Sequence, residues 1–93
     1  MFYFQMKIEN IKDLQILLQT ARGGSLSAAA RTLRITPAAA SAMLKRLEAQ
    51  LGTRLFERST RAMRLTPGGQ ILLAYAQRAF ELLAEGESQL DAE

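Results

Sequence analysis

A mainly α fold, with a three-helix core, a two-stranded wing and a long C-terminal helix, is what this sequence predicts. Three observations predict it. Apolar residues recur at three- and four-residue steps through successive segments, the period of helices that bury one face. Two Thr-Pro pairs, Thr36-Pro37 and Thr66-Pro67, place a capping hydroxyl before a proline at the first helical position, where its missing N–H costs nothing. Two short strand-like runs lie between those helix starts. The composition agrees: 48% of the 93 residues are hydrophobic but only 6% aromatic, which suits Leu- and Ala-rich helices better than a β-sandwich. A chain this short buries little more than half the surface it exposes when unfolded, so its core must be compact and largely local.

The first helix is expected from about Ile8 to Arg22, with Ile11, Leu14, Leu17, Leu18 and Ala21 as its apolar stripe and Gly23-Gly24 as its stop. Ser27 reads as the N-cap of a short second helix reaching about Leu33. After a brief connection at Arg34-Ile35, Thr36-Pro37 opens a third helix that continues to about Leu51 and stops at Gly52. Leu55-Phe56-Glu57-Arg58 and Met63-Arg64-Leu65 flank Ser59-Thr60-Arg61-Ala62, the outline of a small hairpin; the alternative is an irregular loop. Thr66-Pro67 opens the last helix, to about Leu90 and about 35 Å long, more than so small a body can cover. Residues 1–5 read as the remnant of a protease-cleavable tag, or else as an apolar extension packing on the first helix; residues 6–66 form the folded body and 67–93 the protruding helix.

Composition excludes several function classes. There is no Cys and no His, which removes disulfides, zinc fingers and His- or Cys-based catalytic dyads. No carboxylate pair beyond Glu48 and Glu57 lies in the body of the domain, and no phosphate-binding glycine loop is present, so the chain reads as no enzyme and needs no cofactor or metal of its own. No apolar run approaches the roughly 20 residues that cross a bilayer, and no secretory signal is evident, so a cytoplasmic protein with no membrane partner is expected. The formal net charge is only +3, but from Arg22 to Arg64 nine basic residues face two acidic ones, whereas Arg78 stands against Glu81, Glu85, Glu87, Asp91 and Glu93. One sign gathered in one segment is what a polyanion-binding surface requires; the alternative is a merely solvated basic face.

Two helices joined by about three residues, the second opened by a polar cap, make a helix-turn-helix, and the hairpin beyond them makes it a winged helix-turn-helix. Ala29 and Ala30 allow close helix approach. On the third helix Ala40, Leu44, Leu47 and Leu51 share one side, leaving Ala38, Ser41, Ala42, Lys45 and Ala49 on the other, a face almost bare of large groups. Such a face fits the major groove of double-stranded DNA, with Ser27, Thr36, Pro37, Ala38, Ser41, Ala42, Lys45 and Arg46 as candidate contacts. With few bidentate donors available, much of the discrimination would come from groove width and bending. In the wing, Arg58, Arg61 and Arg64 are candidates for phosphate or minor-groove contact, while a pairing of Arg58 with Glu48 would be a purely structural use. The competing reading of the small-residue face is a docking surface for protein, making the chain a winged-helix protein-association module.

The order Gly24-Ser25-Leu26-Ser27, Ala29-Ala30, Leu33, Thr36-Pro37-Ala38-Ala39-Ala40-Ser41, Leu47-Glu48, Leu51-Gly52, Leu55-Phe56, Arg58, Arg61 and Leu65-Thr66-Pro67-Gly68-Gly69 closely resembles the N-terminal DNA-binding domain of LysR-type transcriptional regulators. The resemblance implies a linker helix that pairs with its twin, and a separate C-terminal domain that senses a small-molecule effector; the present sequence then looks like an excised DNA-binding fragment of a bacterial regulator that joins the nucleoid when bound. It also implies that Pro37, Ala38, Ser41, Ala42 and Lys45 occupy the major-groove positions and Arg61 that of the wing arginine. Ala42 departs from the family, which often has a long polar residue there, and Thr20 and Arg22 replace a frequent apolar and acidic pair. The molybdate-responsive repressor's N-terminal domain is the nearest other winged helix, and it would not require this wing.

A homodimer through the linker helix is expected from Leu72, Ala76, Ala79, Leu83, Gly86 and Leu90, which recur at alternating four- and three-residue steps, with Ile71, Tyr75 and Leu82 as a second stripe to cover the helix's own domain. Two paired copies would offer two recognition helices to a pseudo-palindromic operator. The alternative has the seam folding back on the same monomer.

Overall fold

The computed structural model describes residues 5–58 and 63–92. A 3-10 turn over Ile11–Asp13 leads into α1 (Leu14–Gly23), followed by α2 (Leu26–Leu33), α3 (Pro37–Leu51), the strands β1 (Phe56–Arg58) and β2 (Met63–Leu65), and α4 (Pro67–Asp91). The strands pair antiparallel, Phe56 opposite Leu65, Glu57 opposite Arg64 and Arg58 opposite Met63. This is the expected winged helix-turn-helix. The wing tip, with the assignment of Arg61 to a groove, lies outside the described residues, as does the side chain of Arg58.

Helix starts follow capping chemistry, in two places differently from expectation. Asn10 accepts from the Lys12 amide at 2.9 Å and opens a 3-10 turn, so regular α-helix begins only at Leu14 rather than near Ile8. The second helix is capped by Ser25, whose Oγ accepts from the Ala28 amide at 3.1 Å; Ser27 is an exposed first-turn residue and not the cap. Moving the cap back two residues brings Leu26 into the helix, where it packs on the core. Thr36 and Thr66 cap as expected, accepting from Ala39 and Gly69, both at 3.0 Å. Gly24 and Gly52 end α1 and α3 in the left-handed region that glycine adopts freely. Arg34 ends α2 in the same region (φ 59, ψ 45), at a steric cost of roughly 1–2 kcal/mol for a residue with a Cβ.

The core gathers Leu14, Ile16 and Leu17 of α1, Ala29 and Ala30 of α2, Ala40, Leu44 and Leu47 of α3, Leu55 and Phe56 at the wing, and Ala76 of α4. The buried face of α1 is rotated from the predicted stripe. Ile16 and Thr20 are fully buried, Leu18 and Ala21 only half-buried, and Ile11 is exposed. The Thr20 hydroxyl has no hydrogen-bond partner.

The backbone of one residue, Leu55, joins three elements. The Leu55 amide donates to Glu48 Oε2 of α3 at 2.8 Å, and its carbonyl accepts from the Thr66 amide at 3.0 Å. Thr66 Oγ1 donates to the Arg54 carbonyl at 2.6 Å while capping α4. Gly69 lies against the same Leu55 carbonyl so closely that a Cβ at residue 69 would collide with it. That contact fixes the rotation of α4: Gly69, Leu73, Ala76 and Phe80, spaced four, three and four apart, turn toward the body. The result corrects the expected division of the helix. Ala76 is 2% exposed and Leu72 half-buried in the monomer, whereas Ile71 and Tyr75 (63% each) and Leu82 (64%) face outward instead of covering their own domain.

Two substitutions test this packing. An unpaired buried hydroxyl costs roughly 1–3 kcal/mol. Thr20→Val is expected to raise the melting temperature by about 4–8 °C, the shift that about 1 kcal/mol gives a domain of this size, and an unchanged or lower value would mean that the hydroxyl is paired. Gly69→Ala is expected to cost about 1–3 kcal/mol in denaturant unfolding, because the backbone it meets cannot rotate away; a neutral result would remove the anchoring role.

Candidate nucleic-acid interface

The geometry of α3 divides its residues sharply. Ala40, Leu44 and Leu47 are fully buried, and at about 100° per residue the side diametrically opposite holds Ala38, Ala42, Lys45 and Ala49, all exposed. Ser41 is half-buried on the flank of that face. At the helix start Thr36 and Pro37 are exposed; Thr36 Oγ1 accepts from Ala39, which leaves its O–H able to donate outward. Ser27 is exposed in the first turn of α2. The surface therefore combines hydroxyls, one ammonium and methyl groups, with little side-chain bulk to hold a partner's backbone away.

Arg46 has a different environment from its neighbours. Its Nε and Nη2 donate to the two carboxylate oxygens of Asp13, each at 3.0 Å, a bidentate fork. Asp13 is 2% exposed, so the pair ties the N-terminal side of α1 to the middle of α3. The hydrogen bond to Asp13, and then its charge, raise the Arg46 pKa above its ordinary value. This guanidinium is engaged inside the domain, unlike Lys45 beside it. Asp13 was missed in the sequence because a charged residue interrupts an apolar pattern; the available signal was its place four residues before Leu17 and seven before Thr20, on the buried stripe.

In the wing, Arg64 is exposed on β2, directly opposite the exposed Glu57 of β1. Glu48 is spent on the backbone: its Oε2 accepts from the Leu55 amide and, at 3.5 Å, from that of Phe56, so it caps the start of β1. This use of Glu48 was not foreseen. Among the described residues no cluster of His, Cys, Asp and Glu could hold a metal ion, and no helix is long and apolar enough to cross a membrane.

An exposed second helix of a helix-turn-helix beside a two-stranded wing defines a regulator-type helix-turn-helix domain. The profile of the family described as "Bacterial regulatory helix-turn-helix protein, lysR family" matches residues 11–70, and the chain belongs to that family. It is 41% identical over 87 residues to the uncharacterized HTH-type transcriptional regulator y4mQ of Sinorhizobium fredii, covering 94% of this chain and 29% of that protein. It is 40% identical over 81 residues to the HTH-type transcriptional regulator GltR of Bacillus subtilis, covering 87% of this chain and 27% of GltR. Both relatives are described as HTH-type transcriptional regulators, and the chain spans less than a third of their length. Among solved structures it is similar to the CbnR DNA-binding domain in complex with DNA, with a TM-score of 0.82 and 31% identity over 89% of this chain and 95% of that one.

The Asp13 and Arg46 pair has a direct test. Asp13→Ala and Arg46→Ala are each expected to lower the unfolding midpoint, and the double variant to lose clearly less than the two losses together, since either change alone strands the other charge. Additive losses would mean that the fork carries no energy.

Proposed function

We propose that this domain lays the exposed face of α3 in the major groove of double-stranded DNA, as a two-fold pair joined through α4. The observation that carries the reading is the opposition on one helix of a fully buried Ala40, Leu44 and Leu47 face to an exposed Ala38, Ala42, Lys45 and Ala49 face. Small side chains let the helix axis approach the base edges, and Ala38 and Ala42 can meet thymine methyl groups. Thr36, Pro37 and Ser41 border that face, Ser27 stands exposed at the start of α2, and Lys45 supplies the charge on the face. Arg64, together with Arg58 and Arg61 on the family resemblance, serves the neighbouring phosphates. The DNA complex of the similar CbnR domain supports double-stranded DNA as the partner. A DNA partner in a bacterial cell puts the protein in the cytoplasm.

The pairing surface follows the observed rotation of α4. Ile71, Tyr75, Leu82, Leu83 and Leu90 are all more than half exposed and, with Ala79 and Gly86, form one outward band along the helix. This band replaces Leu72 and Ala76 in the expected seam while keeping Ala79, Leu83 and Leu90. A surface helix of 25 residues with so much exposed apolar area is accounted for by a second copy.

Ala42→Glu places a long carboxylate on the exposed face. It is expected to abolish the shift of duplex DNA in gel electrophoresis at low salt, with the stability changed by no more than about 0.5 kcal/mol. Retained binding would contradict the docking, and absence of any shift by the unaltered chain would favour a protein-association module. Leu82→Glu with Leu83→Glu is expected to convert a sedimenting dimer to monomer; an unchanged mass would remove α4 from the interface.

A further inference from the structure

The turn between α2 and α3 carries a residue that backbone energetics alone would replace. Arg34 is the only non-glycine residue with positive φ among the described residues, at a helix end where glycine is favoured. The turn is held by main-chain bonds, from the Arg34 amide to the Arg31 carbonyl at 3.2 Å and from the Ile35 amide to the Ala30 carbonyl at 3.0 Å. Glycine would make the same bonds without the Cβ clash, so the guanidinium adds nothing to the turn itself. Nor does it serve the fold by pairing. No acidic residue occurs between Arg22 and Arg46, and the one ion pair among the described residues joins Arg46 to Asp13.

Arg34 is exposed and stands two residues before the Thr36 cap, so its Cα lies within about 7 Å of that residue. The same helix end leads the face of Ala38 and Ala42. Arg31, also exposed, occupies the last turn of α2 and adds to the local positive field. A long, strained, unpaired cation beside the leading end of α3 is suited to the edge of a groove rather than its floor.

We propose that Arg34 is a further DNA-docking residue, gripping a backbone phosphate at the edge of the groove that α3 occupies. The inference rests on the proposed DNA binding. A phosphate and not a base is the target, because Arg34 lies off the helix that reaches base edges, and a guanidinium gains charge-assisted contacts from phosphate oxygens.

The test uses the 93-residue chain and its Arg34→Gly and Arg34→Asn variants, both of which tolerate the left-handed region. Binding to random-sequence duplex DNA is followed by fluorescence anisotropy across a salt series. Loss of one phosphate contact reduces the slope of log affinity against log salt by about 0.9, which at about 0.1 M salt is an eight-fold weakening relative to 1 M. Both variants are expected to show this reduction, Arg34→Gly with an equal or higher melting temperature, while Arg34→Lys keeps most of the slope. Unaltered slopes in variants of a chain that does bind DNA would overturn the role of Arg34 alone. Weaker binding accompanied by lower melting temperatures in both variants would also overturn it, as a structural effect. No binding by the unaltered chain at low salt would overturn the docking reading, and this proposal with it.

Discussion

The backbone of Leu55 is the joint on which the architecture depends. Its amide is held by Glu48 of α3, its carbonyl receives the Thr66 amide and lies against Gly69 of α4, and its side chain is fully buried. Helix α3, the wing and α4 are thus referred to one point. Few other devices are available to a chain with no cysteine or histidine and with a core drawn largely from Leu and Ala. Backbone hydrogen bonds made by buried or half-buried side chains supply orientation where packing of small residues alone would leave it loose.

A second constraint concerns charge. For the proposed docking, the exposed face of α3 needs Lys45 available and the helix itself immobile. The fork between Arg46 and the buried Asp13 serves the second need by committing one of two adjacent cations to the fold. The arrangement is asymmetric: Asp13 is sealed in while Arg46 stays 52% exposed, so water screens the cation and the carboxylate depends on it. In the proposed docking the readout chemistry is sparse, being hydroxyls, methyl groups and one ammonium, and discrimination would lean on duplex shape more than on bidentate base contacts.

Much of this was legible in the sequence, for identifiable reasons. Thr36-Pro37 and Thr66-Pro67 are starts with a stereochemical cause, and both helices begin at those prolines. The wing strands followed from two short strand-like runs on either side of Ser59-Thr60-Arg61-Ala62. The face of α1 was misjudged because two polar residues, Asp13 and Thr20, sit on its buried stripe, and an apolar count passes over both. Ser25 and Ser27 are chemically equivalent caps, and only the packing of Leu26 chooses between them. The rotation of α4 could not be read from its own residues, since Leu, Ile and Ala supply two plausible stripes. It is decided from outside the helix, by the Leu55 carbonyl against Gly69.

That external decision links the two halves of the proposed function. The outward band of Ile71, Tyr75, Leu82 and Leu83 is what remains once Gly69, Leu73, Ala76 and Phe80 are turned inward. Because Leu55 also carries the bond to Glu48, the residue that sets the rotation of α4 is bonded to α3 as well. In a two-fold pair joined through α4, the angle between the two α3 helices is then a property of each monomer's Leu55 joint as much as of the interface between copies. Half-site spacing is geometric, about 34 Å for one helical turn of DNA, so small changes at that joint are magnified along a helix of about 37 Å. In the proposed dimer the requirement falls on residues outside the docking face and the outward band, which would give Gly69 and Glu48 a role in recognition through position alone.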